Sequence, residues 1–352
     1  MLSCCKTWKI SKLSTLNRKY KILFFIIGVI LFIYMLYQFG IENIIENIKQ
    51  TSYWLIAVIF VWFIIYIFHT LAWSEILKSR GSKVKFSDLF AIHLSSSALN
   101  YVTPFLNLGG EPYRIMATKE NFGLETSVSS TLLYNMIHIL SHLIFWLISC
   151  FTVLLVIKSN EIYLIVIPLI LVLSSGILLF FIWHKNGIFL SLILLSEKVF
   201  FLKPIGKLLN KKKEKLLILD KLIKDLFNNN KKAFYISLFY EIFARYISAV
   251  EFYIILFSIN FPTNFLQAIY IYAASSLFLN IFFFVPMEAG TREAGLYAIS
   301  ASLGYSPSIG VYISVVNRLR EFFWIIVGLL LMQFSGTRKL EKGILQNTSF
   351  DQ

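Results

Sequence analysis

Residues 108–115 read LGGEPYRI and stand between two strongly apolar stretches of the chain. Two glycines, a carboxylate, a proline and an arginine make this octapeptide too polar to lie in contact with lipid. It is also too short to form a soluble domain. The apolar stretches on either side therefore indicate the fold class, and the octapeptide indicates where an irregular segment interrupts them.

The composition is that of a membrane protein. Hydrophobic residues make up 57% of the 352 residues and aromatic residues 17%, and the mean hydropathy is +0.71. Several apolar runs reach the roughly 20 residues that a helix needs to cross about 30 Å of hydrocarbon. The first run follows six cationic residues but precedes no small-residue cleavage site, so it is interpreted as a retained span. We predict an all-α polytopic membrane protein.

The chain contains two kinds of apolar segment, full spans and re-entrant segments. Two segments, 86–104 and 265–286, each end at a proline that a polar patch follows, and they are predicted to enter and leave the membrane from one face. The remaining runs predict about six full spans, at residues 22–40, 53–77, 125–157, 161–183, 233–259 and 308–334.

The distribution of positive charge predicts the orientation. The net charge is +14, and residues 184–232 contain twelve lysines against four acidic residues. Basic loops face the cytoplasm, where anionic headgroups attract them, so the N-terminus 1–21, the loop 184–232 and the tail 336–352 are expected there. Within this loop, 205–232 is expected to form an amphipathic helix on the membrane surface. No stacking aromatics or known module accompany the lysines, which argues against nucleic acid.

The transmembrane domain, 22–335, divides into two similar units at 53–157 and 233–334. Each unit contains a span, a re-entrant segment that ends in proline, a patch of glycine, arginine and glutamate, and a long span with polar residues. The charge rule gives the units opposite orientations. This pattern predicts two inverted-topology repeats, a construction typical of transporters with a site near the midplane.

The two polar patches are the candidate lipid-headgroup sites. Glycines allow close backbone approach, helix N-termini attract anions, and guanidinium groups bind phosphate. The alternative, left open by the sequence, is that each patch is a salt-bridged plug that holds a loop. The candidate headgroup-binding residues are Gly109, Gly110, Glu111 and Arg114 in the first unit, and Gly290, Arg292 and Glu293 in the second.

Polar side chains at helical spacing indicate a candidate translocation path. On the helix 127–149 they fall within one narrow arc, which should face the bundle interior because lipid contact would be costly. Interhelical hydrogen bonding is the alternative. The path residues are Thr131, Asn135, His138 and His142, flanked by Ser127 and Ser149, and Asn317, Arg318 and Glu321, with Ser314, in the second unit. Arg320 is expected to point elsewhere, toward the interface.

The spacing of residues gives little support for a metal site, a redox site or a catalytic site. Glu241 and Arg245 stand one turn apart and are interpreted as a structural ion pair. His138 and His142 have the i, i+4 spacing of zinc ligands, but no HExxH carboxylate lies between them and no third ligand is evident, so no metal is expected. The three cysteines form no CxxC motif. We predict no catalytic residues and no cofactor.

At the two patches the sequence resembles the lysylphosphatidylglycerol synthase transmembrane family, also described as flippase-like. The motifs are PFLNLGGEPYR at 104–114 and PMEAGTREAG at 286–295, where Glu288-Ala289 replaces the more usual glycine or small polar residues. The resemblance covers about residues 20–335. Aminoacylating members carry a soluble acyltransferase-like domain after the membrane part, so the resemblance implies the translocating half alone, in a bacterial cytoplasmic membrane.

The leading hypothesis is that the protein binds a phospholipid or a polyprenyl-linked lipid and moves it between leaflets. One alternative is an enzyme of lipid-linked glycan or envelope biosynthesis, for which Glu42 and Glu46 are the early external carboxylates. Another is a membrane partner of an envelope-biosynthesis enzyme that docks on the loop 184–232. The oligomeric state does not follow from the sequence.

Overall fold

The computed structural model describes residues 51, 53–82, 85–102, 109–156, 160–198, 213–283, 285, 288 and 290–334. Over these residues the chain forms eleven α-helices and no β-strand, which confirms the predicted all-α class. The predicted span 22–40, the terminal segments 1–21 and 336–352, and the carboxylates Glu42 and Glu46 lie outside the described residues.

The chain contains two groups of four helices with similar lengths: a long helix, two shorter helices and a second long helix. The first group measures 25, 17, 13 and 33 residues, and the last group measures 28, 17, 12 and 28. In chain order the helices are α1 (Trp54–Lys78), α2 (Phe86–Val102), α3 (Gly110–Phe122), α4 (Leu124–Val156), α5 (Asn160–Asn186), α6 (Ile188–Lys198), α7 (Lys213–Asn229), α8 (Lys231–Ser258), α9 (Phe265–Ile281), α10 (Thr291–Ser302) and α11 (Pro307–Phe334).

The packing of the two groups is reciprocal. The first helices of the groups, α1 and α8, make the most extensive contact, α2 packs on α11, and α9 packs on α4. Within each group the short third helix packs on the long fourth one. This correspondence is what two repeats would produce, while the inverted topology and the depth of the short helices stay predictions.

Three described helices have the length and apolar composition to cross a membrane: Trp54–Lys78, Leu124–Leu154 and Tyr163–Ile182. They match three of the predicted spans. The helices α8 and α11 are also long enough, but each carries three charged side chains that are buried in the bundle, so the count of six spans stays a prediction. The exposed apolar side chains of α5, such as Leu164 and Leu171, fit contact with lipid.

Glycines set the close approach of the short helices. A Cβ on Gly110, the first residue of α3, would lie 2.2 Å from the carbonyl oxygen of Ser96 on α2. A Cβ on Gly310 of α11 would lie 2.2 Å from the carbonyl oxygen of Leu296 on α10. The equivalent position on Gly328 lies 2.7 Å from the carbonyl oxygen of Leu94. These helices meet backbone to backbone, which only glycine permits.

Helix α7 (Lys213–Asn229) lies within the segment 205–232, for which the sequence predicts an amphipathic surface helix; residues 205–212 lie outside the described residues. Its Ile223 is buried in the hydrophobic core that α1, α2, α4, α8 and α11 share. Asp220 is buried as well and accepts a hydrogen bond from the amide of Leu190, near the start of α6. Leu217 and Ile218 remain exposed. One face of α7 therefore packs on the bundle, and the opposite face is exposed.

Candidate functional site

Two groups of buried and partly buried ionisable side chains lie along α8. Glu241 and Arg245 belong to the first and Glu251 to the second, and ten residues of helix put about 15 Å between the two glutamates. The histidine cluster consists of His69, His93, His138, His142, Glu241 and Arg245. The arginine cluster consists of Glu251, Glu288, Arg292, Glu293, Arg318, Arg320 and Glu321.

The centre of the histidine cluster is the carboxylate of Glu241, which is fully buried. Its Oε1 lies 2.8 Å from Nδ1 of His69 on α1, and its Oε2 lies 2.8 Å from Nδ1 of His138 on α4. Arg245, one turn along α8, approaches Oε2 to 3.4 Å. The predicted pair of Glu241 and Arg245 therefore forms, but two histidines from other helices make the shorter contacts.

The same residues provide the donor set of a metal site. One ligand atom each from His69, His138 and Glu241 lie within 4.8 Å of one another, and two imidazoles with a carboxylate suit zinc or iron. Arg245 opposes this, since its Nη2 lies 2.9 and 3.0 Å from the ring nitrogens of His138. A divalent cation would add uncompensated charge to a buried site in which Glu241 is already neutralised. The charges favour a hydrogen-bonded network over a metal.

Arg114 has a different environment, because it is buried and no carboxylate of the described residues forms an ion pair with it. Its side chain lies between the rings of Trp73 and Tyr134, with the guanidinium carbon 5.0 and 4.7 Å from their centroids. Its Nη2 lies 3.4 Å from Nδ1 of His93. Among the described residues Arg114 forms no ion pair, and its Nε and Nη1 have no hydrogen-bond partner.

The remainder of the first patch is tied to α2 and α4. The amide of Gly110 donates to Oδ1 of Asn100 at 2.7 Å, and Ser96 donates to the carbonyl of Gly110. Glu111 accepts weak contacts from Asn100 at 3.3 Å and from Asn135 at 3.5 Å. The glycine thus serves the packing of α3 on α2, and the helix start directs Glu111 and Arg114 into the bundle.

The second patch forms the arginine cluster, in which each arginine has a carboxylate partner. Arg292 pairs with Glu288, and with Glu321 at 2.6 Å. Arg318 pairs with Glu293 at 2.8 Å, and Ser314 also donates to Glu293. The predicted path residues Arg318 and Glu321 are therefore bound to the headgroup candidates of the same unit.

Arg320 corrects one expectation from the sequence. It is buried, pairs with Glu251 at 3.1 Å, and stacks 3.7 Å from the ring centroid of Trp62. The indole of Trp62 also donates to Glu251 at 2.6 Å. The interpretation that Arg320 points to the interface is wrong, because a buried carboxylate on α8 lies opposite it.

The polar stripe of α4 lies inside the bundle. Ser127, Thr131 and Ser149 are buried, and their hydroxyl groups have no hydrogen-bond partner among the described residues. Ser149 also lines an apolar cavity of about 490 Å³ between α4, α5, α9 and α10. In the second unit Asn317 is buried, and its Oδ1 has no hydrogen-bond partner among the described residues. Gly290 adopts a left-handed conformation, with φ +76°, before α10.

Sequence reasoning missed three contributors, His69, His93 and Trp62, and it placed Glu251 on the flanking side of its span without a partner. For His69 a signal exists, since it is the only Asp, Glu, His, Lys or Arg between residues 54 and 74. An isolated ionisable residue in a span indicates function or a buried partner. Its partner is 172 positions away in the chain, so no local spacing identifies the pair.

The chain matches one known family of membrane proteins. A family model described as the lysylphosphatidylglycerol synthase TM region matches residues 21–328. No curated protein and no solved structure matches the chain.

Proposed function

Because the chain belongs to the lysylphosphatidylglycerol synthase transmembrane family, and is therefore a multi-pass membrane protein linked to lipid handling, we propose that it moves a phosphate-bearing lipid between the leaflets. The lipid is a phospholipid or a polyprenyl-linked lipid. Its headgroup binds at Arg114 in the first unit.

The observation that carries this proposal is the unpaired guanidinium of Arg114. Its residue is only 3% exposed, and two of its donor nitrogens lack partners among the described residues. A buried charge without a partner costs several kcal/mol. A phosphate oxygen pair matches the fork of donors on a guanidinium and would remove this cost.

The ring of Trp73, which lies against the guanidinium, adds another donor to the surroundings of Arg114. Its Nε1 is buried and has no partner in the described part of the chain. With Nε and Nη1 of Arg114 this makes three unpartnered donor nitrogens, whereas Glu111 contributes one unpartnered oxygen, Oε2, among the described residues. An anionic group with several acceptor oxygens fits such a site better than a cation does.

The arginine cluster supports a different role for the second patch. All three of its arginines are paired with carboxylates. Such pairs are expected if the patch is a salt-bridged plug that holds a loop. Of the two alternatives, we therefore assign binding to the first patch and closure to the second. Headgroup contact at Gly290, Arg292 and Glu293 would then require these pairs to open during transport.

A route leads away from the first patch along α4. The stripe that begins at Ser127 and Thr131 continues through His138 and His142 to Ser149, at the 490 Å³ cavity. That cavity is lined mainly by apolar side chains, including Val166, Leu277 and Phe278. Hydrocarbon chains fit it, while the polar headgroup follows the stripe.

Leaflet exchange in vesicles tests this proposal. Purified protein is reconstituted with fluorescent phosphatidylglycerol, and quenching of the outer leaflet follows the exchange. Arg114→Ala should slow exchange by roughly tenfold to a hundredfold, because a hydrogen bond to a charged group contributes about 1.5–3 kcal/mol. Arg114→Lys should recover part of the rate, since lysine keeps the charge but loses the fork.

Lys78→Ala is the matched control, since Lys78 is an exposed cation whose side chain is 59% exposed. Its rate should equal that of the unaltered protein. Equal rates for the Arg114→Ala and Lys78→Ala proteins would contradict headgroup binding at Arg114. The same assay with a polyprenyl phosphate decides between the two lipid classes.

The remaining partners are proposals of the same kind. Contact of the loop 184–232 with anionic lipid is supported by the exposed Leu217 and Ile218 on a lysine-rich helix. The charge pattern supports a cytoplasmic position for both termini. The bacterial inner membrane is what the family resemblance implies, and docking of an envelope-biosynthesis enzyme on this loop is an alternative proposal.

A further inference from the structure

Four of the five histidines of the chain lie in one file through the bundle. The ring centroids of His142 and His138 are 5.2 Å apart, those of His138 and His69 are 5.4 Å apart, and those of His69 and His93 are 5.9 Å apart. Three helices, α4, α1 and α2, contribute them. Glu241 bridges the two middle rings through its two oxygens.

A structural ion pair does not need this arrangement. Arg245 alone would neutralise Glu241, and apolar side chains could fill the remaining volume at less cost than four imidazoles. Each imidazole can hold a proton on one ring nitrogen and accept one on the other, which no other side chain does near neutral pH. Chains of histidine and carboxylate within membrane helices are the form that proton relays take.

We propose that the histidine file transfers protons through the helix bundle. A proton arriving at Nε2 of His138 releases the Nδ1 proton of that ring to Oε2 of Glu241. The carboxyl group of Glu241 then rotates so that this same proton faces Nδ1 of His69. His69, which carries its own proton on Nε2, accepts the new proton at Nδ1 and releases the Nε2 proton toward His93. Each step forms one N–H or O–H bond and breaks another, so charge and protons balance.

The two ends of the file differ in their surroundings. The side chain of His138 is 34% exposed, whereas His69 is 8% exposed and Glu241 is fully buried. His142 adjoins Trp146, which lines the 490 Å³ cavity. The end of the file at His138 is therefore more accessible than its middle at His69 and Glu241. At the other end His93 is buried beside Arg114.

Charged and titratable groups from every neighbouring helix face the file. Arg245 and Glu241 both contact His138, and Arg114 lies against His93. Among the described residues the groups are Tyr66 and His69 on α1, His93 on α2, Glu111 and Arg114 on α3, Tyr134, His138 and His142 on α4, Glu241 and Arg245 on α8, and Tyr272 on α9.

The position of Arg114 links protons to the lipid, and this link rests on the proposed function. An anion bound to Arg114 would neutralise the cation that lies 3.4 Å from His93, so a proton carried by His93 would no longer meet a second positive charge. The headgroup and the proton would then favour each other's binding, as coupling requires. Proton transfer itself needs no lipid movement, so the two can be tested separately.

Proton flux into vesicles tests the inference. The full chain is reconstituted with a pH-sensitive dye inside and a potassium diffusion potential. The protein should increase flux over empty vesicles. His138→Gln and His69→Gln should each reduce this flux roughly tenfold or more, since a positioned proton carrier typically contributes a factor of about 100. His184→Gln, at the fifth histidine, is the matched control.

Three results would overturn the inference. The first is a flux equal to that of empty vesicles. The second is unchanged flux in His69→Gln and His138→Gln proteins that elute as folded particles. The third is a stoichiometric metal, measured by elemental analysis, that disappears in His138→Gln. Flux without lipid exchange would refute the lipid proposal alone, and exchange without flux would refute the relay alone.

Discussion

Replacement of Glu241 by alanine is expected to destabilise the helix bundle by about 3–5 kcal/mol, because it removes one partner of a buried charge pair. Glu241 is fully buried and joins α8 to α1 through His69 and to α4 through His138. Its loss leaves the guanidinium of Arg245 uncompensated. The free energy of unfolding in mixed micelles measures the change.

The matched control is Glu75→Ala, since Glu75 pairs with the exposed Lys78 on the same bundle. Exposed pairs contribute about 0–1 kcal/mol, so this variant should unfold almost as the unaltered protein does. Glu241→Gln should fall between the two, because the amide keeps hydrogen bonds but not the charge. Equal stabilities for the two alanine variants would mean that Glu241 does not compensate Arg245.

The second large effect is expected at Gly110, where alanine should cost about 3 kcal/mol, the upper end of typical overpacking. Its Cβ would lie 2.2 Å from the backbone oxygen of Ser96 and 2.7 Å from Oδ1 of Asn100. A backbone atom cannot rotate aside as a side chain does. Helix α3 would therefore move away from α2 and displace Arg114 with it.

This displacement gives Gly110→Ala a second readout. Native mass spectrometry of the gently extracted protein should show less bound lipid, in addition to a lower melting temperature. Gly176→Ala on α5 is the matched control, since its Cβ would meet only the side chain of Leu143 at 3.9 Å. There alanine should be neutral or stabilising by up to about 1 kcal/mol. Normal stability in Gly110→Ala would refute the close packing of α2 and α3.

The two patches look alike in sequence, but their charges are arranged differently. Arg292 of the second patch meets Glu288 and Glu321, whereas Arg114 of the first meets two aromatic rings and a histidine. Glu288 supplies one of the partners of Arg292. This difference in pairing is the basis on which we propose binding at the first patch and closure at the second.

Much of the framework follows from the sequence alone. The apolar runs predict the helices α1, α4 and α5, because lipid demands about 20 apolar residues whatever their neighbours are. The spacing of Thr131, Asn135 and His138 places them on one face of α4, because helix geometry is local. The one-turn spacing of Glu241 and Arg245 predicts their contact for the same reason.

The tertiary structure alone decides which charges meet. His69, Glu251 and Arg320 find partners on other helices, at separations of 69 to 189 residues, and such partners depend on helix packing. The same holds for Arg114, whose pattern with Glu111 suggests an ion pair that does not form. Periodicity determines which face of a helix is polar, whereas the desolvation of a charge depends on what lies opposite it after packing.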